Sequence, residues 1–375
     1  MLFFAADASL FTLYGIRGIN MNGKKIRVLI VDDSALIRNV MTEILSQDPE
    51  IEVVGTAPDP YVARDKMKAL NPDVLTLDVE MPKMDGLTFL QKIMAARPMP
   101  VVMVSSLTEQ GAATTLQALE AGAVDFVTKP TVDVQHGLSD LAHQIISKVK
   151  IAAQASVKRR TPPADCTERI KALAAQSAMI KTTDTIIAIG ASTGGTEALR
   201  ELLEVLPPNT PPIIMTQHMP EQFTKSFANR LNELCQIHVK EAREGDSVMP
   251  GQALLAPGNY HMELRRSGAR YYVSLNQEPQ VNRFRPSVDV MFRSVARYAG
   301  GNSLGVILTG MGNDGAAGML EMKQAGAFNL AQDEASCVVF GMPKEAIKAG
   351  GVDKILPLHD IPAAMLAHLK MLAPR

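Results

Sequence analysis

The chain has 375 residues, of which 46% are apolar and 21% charged, enough to build two globular domains with buried cores. Thirty-eight basic residues against 39 acidic ones leave a net charge of −1, which argues against a broad electrostatic hold on nucleic acid or anionic lipid. No run reaches the roughly 18 apolar residues of a membrane span, so no membrane insertion is expected. Cys166, Cys235 and Cys337 are widely spaced without C-x-x-C, which fits neither a disulfide framework nor a zinc site and points to a reducing cytoplasm.

Residues 1–20 lack a basic segment ahead of their apolar part and carry Asp7 within it, so they make a poor signal peptide. Met21 followed by NGKKIRVLIV is the more natural start, and residues 1–23 are expected to be an unstructured extension. From Ile26 the pattern alternates. A strand at Ile26–Val31 precedes a helix with Leu36, Ile37, Val40, Met41, Ile44 and Leu45 on one face. IEVVGTA, DVLTLDVEMP, PVVMVSS and DFVTKP read as strands; YVARDKMKAL, LTFLQKIMAA and TTLQALEAGA read as the helices between them, with another from about Ser139. Five such alternations predict a doubly wound parallel sheet over residues 24–146, with its ligands at the carboxyl ends of the strands.

Asp32 and Asp33 follow the first strand, Asp78 closes the third, Ser105 the fourth, and Lys129 the fifth, just ahead of Pro130. Three carboxylates at one sheet edge repel one another unless a cation or a base sits among them, and an all-oxygen set suits Mg²⁺. Together, Asp-Asp, the lone Asp of LDVEMPKMDG, the hydroxyl of MVSS and the Lys-Pro of FVTKP resemble the receiver domain of two-component signalling. That resemblance implies that Asp78 accepts a phosphoryl group from a histidine kinase, that Asp32, Asp33 and Asp78 hold Mg²⁺, and that Lys129 pairs with the phosphoryl oxygens. It further implies that the Ser105 hydroxyl reorients, that Phe126 is a rotameric aromatic, and that Lys129–Pro130 is a candidate cis peptide.

Residues 147–182 turn Ala-rich and basic, with Pro162 and Pro163 breaking any helix, and are expected to be a solvated linker. Beyond it, TDTIIAIGASTGGT reads as a strand buried on both faces that ends in a glycine-rich turn carrying Ser192, then a helix over Glu197–Leu206. The letters alone fit a phosphate-cradling loop or an ordinary connection as well as a nucleophile turn. PPIIMTQHMP ends another buried run at His218, and SLGVILTGMGNDGAAG ends a third at Asp314. In a parallel sheet these ends share one edge, which supplies a nucleophile (Ser192), a general base (His218) and an orienting carboxylate (Asp314). His238 and His261 are alternative bases. An α/β-hydrolase order would need a later histidine such as His359 or His368. No H-E-x-x-H occurs, which argues against a metal hydrolase.

IGASTGG, QHMP, LLAPGNYHM, RFRPSVDVMF and ILTGMGNDG make residues 183–375 similar to the catalytic domain of the CheB methylesterase family. The fold implied is two doubly wound parallel-sheet α/β domains, a receiver and a Rossmann-like methylesterase domain, in a monomer. The activity implied is hydrolysis of glutamate γ-methyl esters, with deamidation of certain glutamines, on the cytoplasmic bundles of chemoreceptors. No cofactor is needed for hydrolysis. The oxyanion would be held by the N–H groups of Thr193 and Met311, and the unphosphorylated receiver would cover the active site. Arg283 and Arg285 are candidates to line a substrate surface dense in glutamates, with plain surface solvation the alternative for either. The alternative is a response regulator whose second domain only docks.

Overall fold

The computed structural model describes residues 24–106, 108–130, 138–155, 157 and 185–372. The expected extension at 1–23, Cys166 and most of the expected linker lie outside them. In the first domain β1 (Ile26–Val31), β2 (Ile51–Ala57), β3 (Val74–Asp78), β4 (Val101–Ser105) and β5 (Asp125–Thr128) pair in parallel in the order β2-β1-β3-β4-β5. The intervening helices are α1 (Ala35–Ser46), α2 (Pro60–Leu70), α3 (Gly86–Ala96), α4 (Glu109–Glu120) and α5 (Leu138–Gln154). Ser34, Asp59, Asp85 and Thr108 each accept a backbone N–H at the start of α1 to α4, which is why these helices begin where they do.

Three local expectations are corrected. α4 starts at Glu109 because Thr108 caps it, several residues before TTLQALEAGA. α5 runs to Gln154, into the stretch read as linker: Ile145, Val149 and Ala152 keep a buried helical spacing there, and alanine and lysine are good helix formers. Leu36, expected on the buried face of α1, is 56% exposed. It sits in the first turn of the helix.

In the second domain β6 (Ile186–Ala191), β7 (Ile213–Gln217), β8 (His238–Glu241), β9 (Gln252–Leu255), β12 (Ser303–Ile307), β13 (Phe328–Gln332) and β14 (Lys354–Leu356) form a parallel sheet ordered β14-β13-β12-β6-β7-β9-β8. The chain fills one side of β6 with β7, β8 and β9 and the other with β12, β13 and β14, so the topological switch point lies between β6 and β12. The helices are α6 (Gly195–Leu203), α7 (Glu221–Leu234), α8 (Val288–Tyr298), α9 (Ala316–Gln324), α10 (Met342–Lys348) and α11 (Ile361–Leu372). An antiparallel hairpin, β10 (His261–Ser267) and β11 (Arg270–Asn276), was not anticipated. It buries Met262, Leu264, Tyr271 and Val273 on one face and turns through Gly268 at φ +60°. No helix among the described residues is long and apolar enough to cross a membrane.

The two domains touch. α4 and β5 meet α7 through one apolar cluster that includes Leu116, Leu119, Phe126, Phe223, Phe227 and Leu231, with the Phe126 and Phe223 ring centroids 4.4 Å apart. At its rim the Arg230 guanidinium donates to both carboxylate oxygens of Glu120, at 2.8 and 3.2 Å.

Candidate functional site

At the carboxyl edge of the first sheet, Lys129 Nζ donates to Asp78 Oδ2 at 2.7 Å and lies 3.6 Å from Asp32 Oδ2. Asp32 Oδ1 accepts the Ser34 N–H, while the buried Asp32 Oδ2 has no hydrogen-bond partner among the described residues. Asp32, Asp33 and Asp78 each present an oxygen, all within 4.8 Å of one another. An orphaned buried oxygen in an all-carboxylate cluster fits a hard cation such as Mg²⁺. Burial pushes the Asp78 carboxyl up to about 6, against the pull of Lys129. Ser105 Oγ lies 2.7 Å from Thr115 Oγ1 and 3.3 Å from the Gly111 carbonyl oxygen, so the hydroxyl is turned toward α4. Phe126 is buried against Phe223. Lys129–Pro130 is not cis; the Lys129 N–H extends the strand ladder to the Ser105 carbonyl.

The Asp78 carboxyl couples the stability of the first domain to pH. Its folded value lies above the usual 3.8, so its stabilising effect is complete below about pH 4 and is lost as pH rises through about 6. Asp78→Asn should therefore stabilise the cation-free first domain at pH 7, by roughly 1–3 kcal/mol. Calorimetry of the full chain without divalent cation checks this. A lower first transition in the variant would count against the burial argument.

The second site is built by β6, β7 and β12, adjacent in the sheet. Ser192 follows β6 and has its N–H on the Thr309 carbonyl, while its own carbonyl accepts the Gly195 N–H and Gln217 Nε2. Gly194 at φ +77° makes the turn, and a side chain at Gly190 would meet Val288 at 2.3 Å, so α8 can press close beneath the serine. His218 follows β7, Asp314 follows β12, and the chain brings all three together. Ser192 Oγ lies 3.1 Å from His218 Nδ1, and His218 Nε2 lies 2.8 Å from Asp314 Oδ2.

Asp314 is completely buried and accepts from His218, Asn282, the Ser287 hydroxyl and the Val288 and Asp289 N–H groups. The last two are the first N–H groups of α8, the positive end of the helix. Burial alone would raise this carboxyl. Its hydrogen bonds and the His218 ring outweigh that and hold it at about 2. An ionised Asp314 fixes the proton on His218 Nε2, so Nδ1 offers its lone pair to the Ser192 hydroxyl.

Thr193 and Met311 flank the serine. A side chain on Gly310, the neighbour of Met311, would come within 2.8 Å of Ser192 Cβ. Among the described residues neither the Thr193 nor the Met311 N–H donates a hydrogen bond. Two uncommitted donors beside the nucleophile suit an oxyanion.

The competing bases fall away. His261 is buried and spends both ring nitrogens on Ser287 N–H and the Pro279 carbonyl, His238 is exposed at a strand start, and His368 stacks on Phe328. Burial pushes the Cys235 and Cys337 thiols up to about 12, which leaves both unreactive. Arg285, a candidate for the substrate surface, donates to Asn259 Oδ1 and to the carbonyls of Gln277 and Glu278, where it ties loops together.

Sequence reading missed Gln217, Asn282, Phe284 and Ser287, and also the Thr193 hydroxyl, which donates to Asp125 Oδ2 of the first domain at 2.5 Å. Phe284 and Ser287 lay inside the RFRPSVD stretch and Gln217 opened QHMP, but nothing in those letters assigned them a contact.

Comparison with known proteins agrees with this arrangement. The response regulator receiver domain model matches residues 28–139 and the CheB methylesterase model matches residues 187–365. A protein-glutamate methylesterase/protein-glutamine glutaminase of Pectobacterium atrosepticum is 61% identical over 92% of this chain and 97% of its own length. The Salmonella typhimurium protein of the same name is 58% identical, again over 92% of this chain and 97% of its own. The crystal structure of the Thermotoga maritima CheB methylesterase catalytic domain is 39% identical, covers 50% of this chain and 99% of its own, and superposes with a TM-score of 0.49. Two domains in this order, similarity along nearly the whole length, and a Ser-His-Asp relay intact where a docking module could have lost it lead to one conclusion: the chain belongs to the CheB methylesterase family, carrying a receiver domain ahead of the esterase domain.

Proposed function

We propose that this chain is a phosphorylation-regulated serine hydrolase that demethylates glutamate γ-methyl esters, and deamidates certain glutamines, on chemoreceptors in the cytoplasm. The relay from Ser192 Oγ through His218 to Asp314 carries the reading. Ser192 attacks the ester carbonyl as His218 Nδ1 takes its proton, and the N–H groups of Thr193 and Met311 stabilise the oxyanion. The same proton passes to the departing methanol, or to ammonia from a glutamine. Water then gives a proton to Nδ1 as it attacks the acyl-enzyme, and that proton returns to Ser192 as glutamate leaves. No cofactor enters this cycle.

Asp78 is the proposed acceptor of the phosphoryl group from a histidine kinase. Mg²⁺ held by Asp32, Asp33 and Asp78 would offset the charge brought there, and Lys129 would pair with a phosphoryl oxygen. Regulation acts through the domain contact, because Asp125 holds Thr193 beside the nucleophile and Phe126 packs on Phe223. The half-exposed Glu120–Arg230 pair at the rim contributes only about 1 kcal/mol, so the apolar contact and the buried Asp125–Thr193 bond must supply most of the closure. Methyl release from labelled receptor membranes, with and without acetyl phosphate and Mg²⁺, tests both parts. Release should occur and rise about tenfold to a hundredfold with the phosphodonor, as for closure worth a few kcal/mol. Phe126→Ala should be partly active without it. Absence of methyl release sinks the enzyme reading; release indifferent to both changes sinks the switch.

A further inference from the structure

One turn grips two members of the relay from outside. Val281 and Phe284 exchange backbone hydrogen bonds at 2.9 and 3.2 Å, and Asn282 and Arg283 between them both adopt left-handed conformations, φ +53° and +69°. Two successive left-handed residues in a two-residue loop make a type I′ turn, where asparagine is favoured at the first position. Arginine at the second carries a backbone cost that the turn accepts. The adjoining Arg285 guanidinium ties the segment to Asn259, Gln277 and Glu278.

What the turn delivers is specific. Asn282 Nδ2 lies 2.8 Å from Asp314 Oδ1 and 2.8 Å from Asp289 Oδ2, so its two protons bridge two buried carboxylates. Phe284 lies flat on the His218 ring, with centroids 3.6 Å apart and planes 7° from parallel. Asn282 itself is exposed, so the turn gains little from burying it.

We propose that the Val281–Phe284 turn is a positioning element for the hydrolysis: Asn282 fixes the Asp314 carboxylate between its donors, and Phe284 fixes the plane in which His218 presents Nδ1 to Ser192. The inference rests on the Ser192, His218 and Asp314 reading. Misplacement of a general base by a fraction of an ångström lowers the rate without weakening substrate binding. Asn282 therefore acts through Asp314, and Phe284 through His218.

The test uses full-length chain and methylated receptor membranes, with kcat and KM measured for Asn282→Gly, Asn282→Asp and Phe284→Leu. Glycine keeps the left-handed backbone and removes only the amide; aspartate keeps size and turn preference but sets an acceptor against two carboxylates. The expected falls in kcat are roughly tenfold for Asn282→Gly and Phe284→Leu and roughly a hundredfold for Asn282→Asp, with KM within about twofold. A turn of purely structural importance would spare Asn282→Gly and would not rank Asp below Gly. Parent kcat in both Asn282 variants, or a loss confined to KM, overturns the inference. Ser192→Ala in the same assay separates the two claims: if that variant keeps parent activity, the relay reading has failed; if it is inactive while the Asn282 variants are not impaired, only the turn has lost its role.

Discussion

Ser192→Ala lowers methyl release by a factor of about 10⁵ or more and leaves the chain folded. The size follows from what the hydroxyl does. It is the atom that bonds to substrate, and without it His218 and Asp314 have no proton to move, since members of such a relay act as a unit. Only the oxyanion donors and substrate binding remain to raise the rate above that in water. The fold should hold because, among the described residues, Ser192 Oγ takes part in one hydrogen bond, to His218 Nδ1, while the turn is kept by backbone bonds and by Gln217. Receptor membranes should bind the variant as well as the parent. A variant that hydrolyses as fast as the parent would return the second domain to the rank of a docking module.

Why Ser192, His218 and Asp314 could be read from sequence is physical. Each falls just past a run of apolar residues buried on both faces, and parallel strands bring such ends to one edge whatever their distance in the chain. The receiver acids were legible for the same reason. Nothing of that kind marks Asn282 or Phe284. They sit in a polar turn whose left-handed backbone has no glycine to announce it, and their partners come from other elements. Asp125 and Thr193 meet across 68 residues of sequence and a domain boundary, which no local pattern encodes. Composition misled at residues 147–154, where alanine and lysine continue a helix as readily as they build a linker.

Asp314→Asn tests the relay at its far end, with an expected fall in kcat of about 10⁴. The two carboxylate oxygens face donors only: Oδ1 takes Asn282, Ser287 and the Asp289 N–H, and Oδ2 takes His218 and the Val288 N–H. An amide must turn its NH₂ toward one of these sets. Turned toward His218, it would accept no proton from Nε2 and would favour the other tautomer, with the proton on Nδ1 and no lone pair for Ser192. Turned the other way, it would set a donor against Asn282 and Ser287 and give up the charge that stabilises the imidazolium. Stability should also fall. The folded carboxyl, at about 2, lies below the usual 3.8, so its contribution is present above about pH 4 and lost as pH falls through about 2. The variant should lose roughly 2 kcal/mol at pH 7 and lose this part of the acid sensitivity of the second domain. Calorimetry as a function of pH reads the second effect and methyl release the first. A variant with parent kcat would mean that His218 needs no carboxylate to hold its proton, and would remove Asp314 from the mechanism.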